Sequence, residues 1–128
     1  MRRRITEYLS WWKKLGKEKM PLLLYGARQT GKTYLLREFG SENYKTTVYL
    51  NFETEPALIH LFEDSIDPTK LIPKIERYLE TRIIPKETLI IFDEIQSCNR
   101  ALTSLKYFCE NAPEYDLAGA GSLLGVYN

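Results

Sequence analysis

The chain has 128 residues, 44% hydrophobic and 27% charged, the size and balance of one globular domain with its own core. Nine Tyr, five Phe and two Trp argue against disorder, and no apolar run approaches the roughly 18 residues needed to cross a bilayer. The formal charge of +1 conceals a polarised chain: residues 1–20 hold seven basic and two acidic side chains, and the remainder is net acidic.

The basic start does not read as a signal peptide. Arg2, Arg3 and Arg4 are followed by no uninterrupted apolar segment before Trp11-Trp12-Lys13-Lys14, so a cytoplasmic location is expected. Ile5, Tyr8, Leu9, Trp12 and Leu15 recur at helical spacing, which predicts an amphipathic helix over residues 4–15 ending at Gly16. Its cationic face could meet nucleic acid or anionic lipid. The favoured reading is a solvated basic face on a helix whose Ile5/Tyr8/Trp12 stripe packs on the sheet.

Pro21, Leu22 to Tyr25 and Gly26 predict a buried strand over about 21–26. Thr33 to Phe39 reads as a helix with Leu35, Leu36 and Phe39 on one side and Gly40 as its stop. Residues 46–52 are β-branched and aromatic, a second strand, and Pro56 to Phe62 a short helix. Asp67-Pro68 is a helix start. Pro73 either restarts that helix near Ile72 or kinks it, before Ile75, Tyr78 and Leu79 supply the buried face. Thr88-Leu-Ile-Ile-Phe92 is apolar throughout, as in a central parallel strand covered on both faces (about 88–93). Arg100 to Glu110 predicts a helix with Leu102, Leu105 and Phe108 inward, and residues 116–121 a fourth strand. This alternation implies an α/β fold with a mostly parallel sheet and helices on both faces.

Gly26-Ala27-Arg28-Gln29-Thr30-Gly31-Lys32-Thr33 matches GxxxxGK[ST] in full. Glycines at 26 and 31 let backbone N–H groups approach phosphate oxygens with no Cβ in the way. The helix that follows aims the positive end of its dipole at the same anion. Lys32 supplies a point charge for the β- and γ-phosphates, and the Thr33 hydroxyl can ligate Mg²⁺. A strand before and a helix after complete the context. These eight residues, with Tyr34 following, are the candidate nucleotide-binding set.

Leu89-Ile90-Ile91-Phe92-Asp93-Glu94 is a hydrophobic strand ending in two carboxylates, where ligands of doubly wound sheets bind. Asp93 is the second candidate for Mg²⁺, and Glu94 the candidate general base for an attacking water. Ser122, directly after the fourth strand, is a candidate γ-phosphate sensor. Asn51 and Glu53 close the second strand and are equally consistent with reaching the nucleotide or lying in a surface loop.

Leu22 to Thr33, Asn51-Phe52-Glu53, Phe92-Asp-Glu-Ile-Gln96 and Gly119-Ala-Gly-Ser122 together resemble the AAA-type ATPase domain of a large bacterial and archaeal family. That family's ATPase domain usually precedes a C-terminal domain similar to restriction-endonuclease folds. The resemblance implies a P-loop NTPase three-layer sandwich, with residues 1–20 a leading basic helix and 21–128 an ATPase core. It implies ATP and Mg²⁺ as cofactors, Lys32 and Thr33 on nucleotide and metal, Asp93 and Glu94 as the Walker B pair, and Lys32, Glu94 and Ser122 as the catalytic set. Arg28 and Gln96 match family positions without an assigned role. In the family the fold continues into a fifth strand and further helices, so an incomplete domain is expected here. A DNA or protein partner and a homo-oligomer are left open, with Arg82 or Arg100 as arginine-finger candidates.

Gly119-Ala-Gly121-Ser-Leu-Leu-Gly125 looks like a dinucleotide fingerprint, but only three residues follow it. Cys98 and Cys109 lack metal-type spacing and are expected as free thiols. His60 is the one histidine, which excludes a multi-histidine metal site; it and both cysteines are expected to serve packing. A small-molecule kinase would need an arginine-bearing lid, whereas residues 56–81 hold Arg77 alone. A non-catalytic nucleotide switch is the remaining alternative.

Overall fold

The computed structural model describes residues 2–15, 19–26 and 31–122. Four strands, β1 (Leu22–Gly26), β2 (Thr46–Asn51), β3 (Thr88–Asp93) and β4 (Asp116–Ser122), form one parallel sheet in the order β1-β4-β3-β2. Helix α1 (Arg2–Lys13) precedes β1, and α2 (Lys32–Asn43), α3 (Pro68–Leu79) and α4 (Asn99–Asn111) lie in the three connections between successive strands, with 3₁₀ turns at Pro56–Phe62 and Ile95–Ser97. This is the α/β sandwich that the alternation of elements implied.

The strands alternate their side chains between two cores, as a period of two requires. Ile90 and Phe92 of β3 join Val48, Leu50 and Leu117 on the face covered by Leu71 and Ile75 of α3 and Phe108 of α4. Leu89 and Ile91 join Ala118 and Ala120 on the other face, under Leu9 and Trp12 of α1 and Leu36 and Phe39 of α2. Both faces of β3 and β4 are therefore buried along their whole length. The rings of Phe52, Phe62 and Phe92 meet edge to face at 5.4–5.6 Å, the arrangement their quadrupoles favour.

Several element boundaries differ from expectation. Helix α1 runs over Arg2–Lys13 rather than 4–15, and its inward residues are Leu9 and Trp12, while Tyr8 is 48% exposed. Tyr8 instead lies beside exposed Trp11, ring centroids 5.5 Å apart. Gly40 does not stop α2, which continues to Asn43. It is buried against β2, where a Cβ would stand 2.3 Å from Thr47 Oγ1, so its smallness serves helix–sheet approach. Helix α3 passes through Pro73 without restarting, opened by the Asp67 side chain accepting from the Thr69 N–H at 3.0 Å. Its buried residues are Pro68, Leu71, Ile72 and Ile75; Tyr78 points outward and donates to Glu55. Strand β2 ends at Asn51, and β4 includes Ser122 as its last residue.

At the amino ends of the strands lies a buried polar knot that the motifs do not foretell. Lys19 Nζ stands 2.7 Å from Asp116 Oδ1, with both side chains almost fully buried. The Tyr44 hydroxyl donates to the other oxygen of Asp116. The Lys19 ammonium also sits 5.1 Å from the Trp12 ring centre, and Trp12 Nε1 donates to the Met20 carbonyl at 2.7 Å. Buried charges persist only when paired and hydrogen-bonded, and here the pairing fastens the segment before β1 to the start of β4.

Candidate functional site

At the opposite end of the sheet, the carboxyl ends of β1, β4 and β3 carry a closed circuit of contacts. Gly26 ends β1 and lies opposite Ser122 across the β1–β4 ladder. The Ser122 backbone N–H donates to Gln96 Oε1 at 3.2 Å, and Gln96 Nε2 donates to Glu94 Oε1 at 2.8 Å. The Glu94 N–H donates to Asp93 Oδ1 at 2.8 Å, and Thr33 Oγ1 donates to Asp93 Oδ2 at 2.7 Å. Thr33 follows Lys32, whose Nζ reaches back to the Gly26 carbonyl at 3.5 Å.

The backbone explains how these groups converge. Gly31 precedes α2 with φ 85°, a left-handed conformation that glycine adopts without penalty. Among the described residues no atom lies within 4 Å of an added Cβ there, and the positive φ by itself demands glycine. Helix α2 then opens with Lys32 and Thr33 in its first turn, over the strand ends. Glu94 also adopts the left-handed conformation, with φ 49° and ψ 48°, turning the chain sharply from β3 into the Ile95–Ser97 turn.

Asp93 is 4% exposed and is held by more than Thr33 and its neighbour's N–H. The Tyr49 hydroxyl of β2 donates to Oδ2, and Asn51 Nδ2 donates to the Tyr49 oxygen at 3.1 Å. Burial, and then the bond to Asp93, push the Tyr49 phenol up to about 12, so it remains a neutral donor at ordinary pH. The Arg37 guanidinium lies 4.4 Å from the Tyr49 ring centre, which braces the ring from α2.

Of the residues singled out by sequence, Gly26, Gly31, Lys32, Thr33, Asp93, Glu94 and Ser122 lie on this circuit or beside it. Ala27, Arg28, Gln29 and Thr30 fall outside the described residues. Tyr34 is 60% exposed, and its hydroxyl lies 3.4 Å from Glu38 one turn along α2. Asn51 caps its own turn, its Oδ1 accepting from the N–H groups of Glu53 and Thr54. Arg82 lies in the connection entering β3, at the far end of the sheet, 3.8 Å from Glu76. Arg100 starts α4 near the strand ends, but its Nε donates to the Phe62 carbonyl at 2.6 Å.

Sequence reasoning missed Tyr49 and left Gln96 without a role. The position of Tyr49 two residues before Asn51 could have suggested it, since it lies level with Ile91 near the carboxyl end of β2. The glycines of the rejected fingerprint have a packing role: a Cβ at Gly119 would meet Leu23 and Ile95 at 3.0 and 3.3 Å, and one at Gly121 would meet the Tyr25 ring and Gln96. His60 does not pack in the core; it is exposed and pairs with Glu63 at 3.0 Å. Cys98 is buried and Cys109 partly so, both as free thiols.

Among the described residues no helix is long and apolar enough to cross a membrane. No curated protein sequence matches the chain. In structure the chain resembles PCH-2 of C. elegans, with a TM-score of 0.57 over 94% of this chain at 17% identity, a likeness of fold. The match spans 36% of the PCH-2 chain. The sequence profile of the AAA domain covers residues 18–127, and the chain belongs to that family.

Proposed function

We propose that the carboxyl end of the sheet binds ATP with Mg²⁺ and hydrolyses it, and that turnover drives a change in a DNA or protein partner or in a further C-terminal domain. The observation that carries this reading is the circuit from Lys32 through Thr33, Asp93, Glu94 and Gln96 to Ser122. It brings the first turn of α2, a pair of hard oxygen donors and a second carboxylate together at one end of the sheet.

The donor set fits the metal. Thr33 Oγ1 and Asp93 Oδ2 are hard oxygen donors within 2.7 Å of each other, and no group of three or more metal-binding side chains surrounds them among the described residues. Mg²⁺ suits such a site because it is commonly held by one or two carboxylates, with water and phosphate oxygens filling its octahedron. When bound, the ion neutralises charge on the phosphate oxygens.

The chain's own groups do the rest. Backbone N–H groups around Gly31 and the start of α2 donate to the phosphate oxygens. The Lys32 ammonium favours the charge that develops as the terminal phosphoryl group leaves. Glu94 has one carboxylate oxygen committed to Gln96 and uses the other, Oε2, to take a proton from the attacking water. Ser122, level with Gly26, is assigned here to contact the γ-phosphate.

Glu94→Gln tests the catalytic part. ATP binding by calorimetry is expected to persist while phosphate release falls by at least about 100-fold. Unchanged turnover would remove Glu94 from the mechanism. Binding without turnover in the unmodified chain would favour a nucleotide-dependent switch.

A further inference from the structure

We propose that Gln96 is a positioning residue that sets the orientation of the Glu94 carboxylate from the tip of β4. The inference rests on the reading of Glu94 as the group that acts on water, and extends it to how that group is held.

The amide of Gln96 has two different ends and uses both. Its Nε2 donates to Glu94 Oε1 at 2.8 Å, while its Oε1 accepts the Ser122 N–H at 3.2 Å. Turning the amide over would set an oxygen against a carboxylate and an NH₂ group against an N–H, and both bonds would be lost. Glutamate in its place could accept from Ser122 but could not donate to Glu94 when ionised. Asparagine is one methylene shorter than the span.

The surroundings are shaped for this side chain. Gly121 precedes Ser122, and a Cβ there would stand 2.9 Å from Gln96 Oε1. Two residues earlier, Gly119 leaves room for Ile95 of the same turn. That turn is closed by the Ser97 N–H on the Glu94 carbonyl and the Cys98 N–H on the Ile95 carbonyl, each at 3.0 Å. The left-handed backbone of Glu94 is disfavoured for a residue that carries a Cβ. Closure of the turn, with the Gln96 bond to the Glu94 side chain, holds it. A displacement of the β4 tip is therefore transmitted to the Glu94 carboxylate through one amide.

The test is a double-mutant cycle on the whole chain, with kcat, KM and ATP·Mg²⁺ affinity measured for wild type, Gln96→Ala, Glu94→Gln and the double variant. Gln96→Ala is expected to lower kcat by about 10–100-fold, with affinity and KM within twofold of wild type and no additional loss in the Glu94→Gln background. An unchanged or raised kcat, or an equal loss in both backgrounds, overturns the proposal. Failure of the hydrolysis reading shows separately, as absent turnover in the wild type or full turnover in Glu94→Gln. The positional link is then read by ¹⁵N NMR. The Ser122 amide resonance is expected to move on Glu94→Gln substitution and to lose that response when Gln96 is alanine. A Ser122 resonance indifferent to Glu94→Gln, or one that responds equally without Gln96, overturns the link.

Discussion

Thr33 and Asp93 are 60 positions apart in the chain, yet the hydroxyl of one donates to the carboxylate of the other at 2.7 Å. The two lie on the first turn of α2 and the last residue of β3. Their approach is a consequence of strand order, because β4 lies between β1 and β3 and α2 crosses from the end of one to the edge of the sheet.

Removing the Thr33 hydroxyl should weaken the proposed metal site without unfolding the domain, since Asp93 keeps Tyr49 and the Glu94 N–H as donors. For Thr33→Val, an isosteric change, we expect the apparent Mg²⁺ affinity in the presence of ATP to fall by about 10–100-fold. Magnesium titrations of nucleotide binding check this. Equal affinity in both proteins would remove Thr33 from the metal site.

The knot at the other end of the sheet predicts a stability effect. In Lys19→Met the Asp116 carboxylate stays buried with Tyr44 as its remaining side-chain donor. Breaking a buried pair by removing one partner costs about 3–5 kcal/mol, and urea unfolding should report a loss of that order. A change below about 1 kcal/mol would mean that water enters and solvates Asp116.

Tyr44 gives the same region a pH dependence. Burial, followed by its bond to Asp116, pushes the phenol far above its ordinary value near 10. The folded state therefore keeps a proton that the unfolded chain releases. The stabilisation is complete below pH 10 and declines as the pH climbs above it. Thermal melts between pH 9 and about 11.5 should show a falling Tm that is shallower in Tyr44→Phe; identical slopes would contradict the assignment.

Gly40→Ala opposes two effects of known size. In an open helix interior the change gains about 0.5–1 kcal/mol. Here the new methyl group would meet Thr47 Oγ1 at 2.3 Å and Leu89 at 3.2 Å, and overpacking costs about 1–3 kcal/mol. Thr47 is β-branched and stiff at χ1, so packing should win and the variant should be less stable in denaturant. A stabilised variant would show that Thr47 rotates aside.

Much of the fold was legible because its signals are local. Apolar Leu22 to Tyr25, two glycines and Lys32-Thr33 lie within a dozen consecutive residues, and that spacing alone specifies the strand β1 and the start of helix α2. The unbroken apolar run from Leu89 to Phe92 likewise declared a central strand, because only burial on both faces tolerates it.

Facing was less legible. Tyr8 and Tyr78 fit a helical stripe as well as their neighbours do, yet both point outward, since the inward arc of each helix is decided by the sheet beneath it. Gly40 reads as a stop until Thr47 is found against it.

Length, composition and patterning thus determined by themselves an α/β fold with a GxxxxGK[ST] motif between a strand and a helix and two carboxylates at a strand end, all properties of neighbouring residues. Only the tertiary structure decided that Gln96 joins Glu94 to Ser122, that Tyr49 holds Asp93, and that Lys19 is buried against Asp116. Each of those contacts depends on which strands are adjacent and in what register. The order β1-β4-β3-β2 is an outcome of packing both faces of the sheet at once, and no local spacing encodes it.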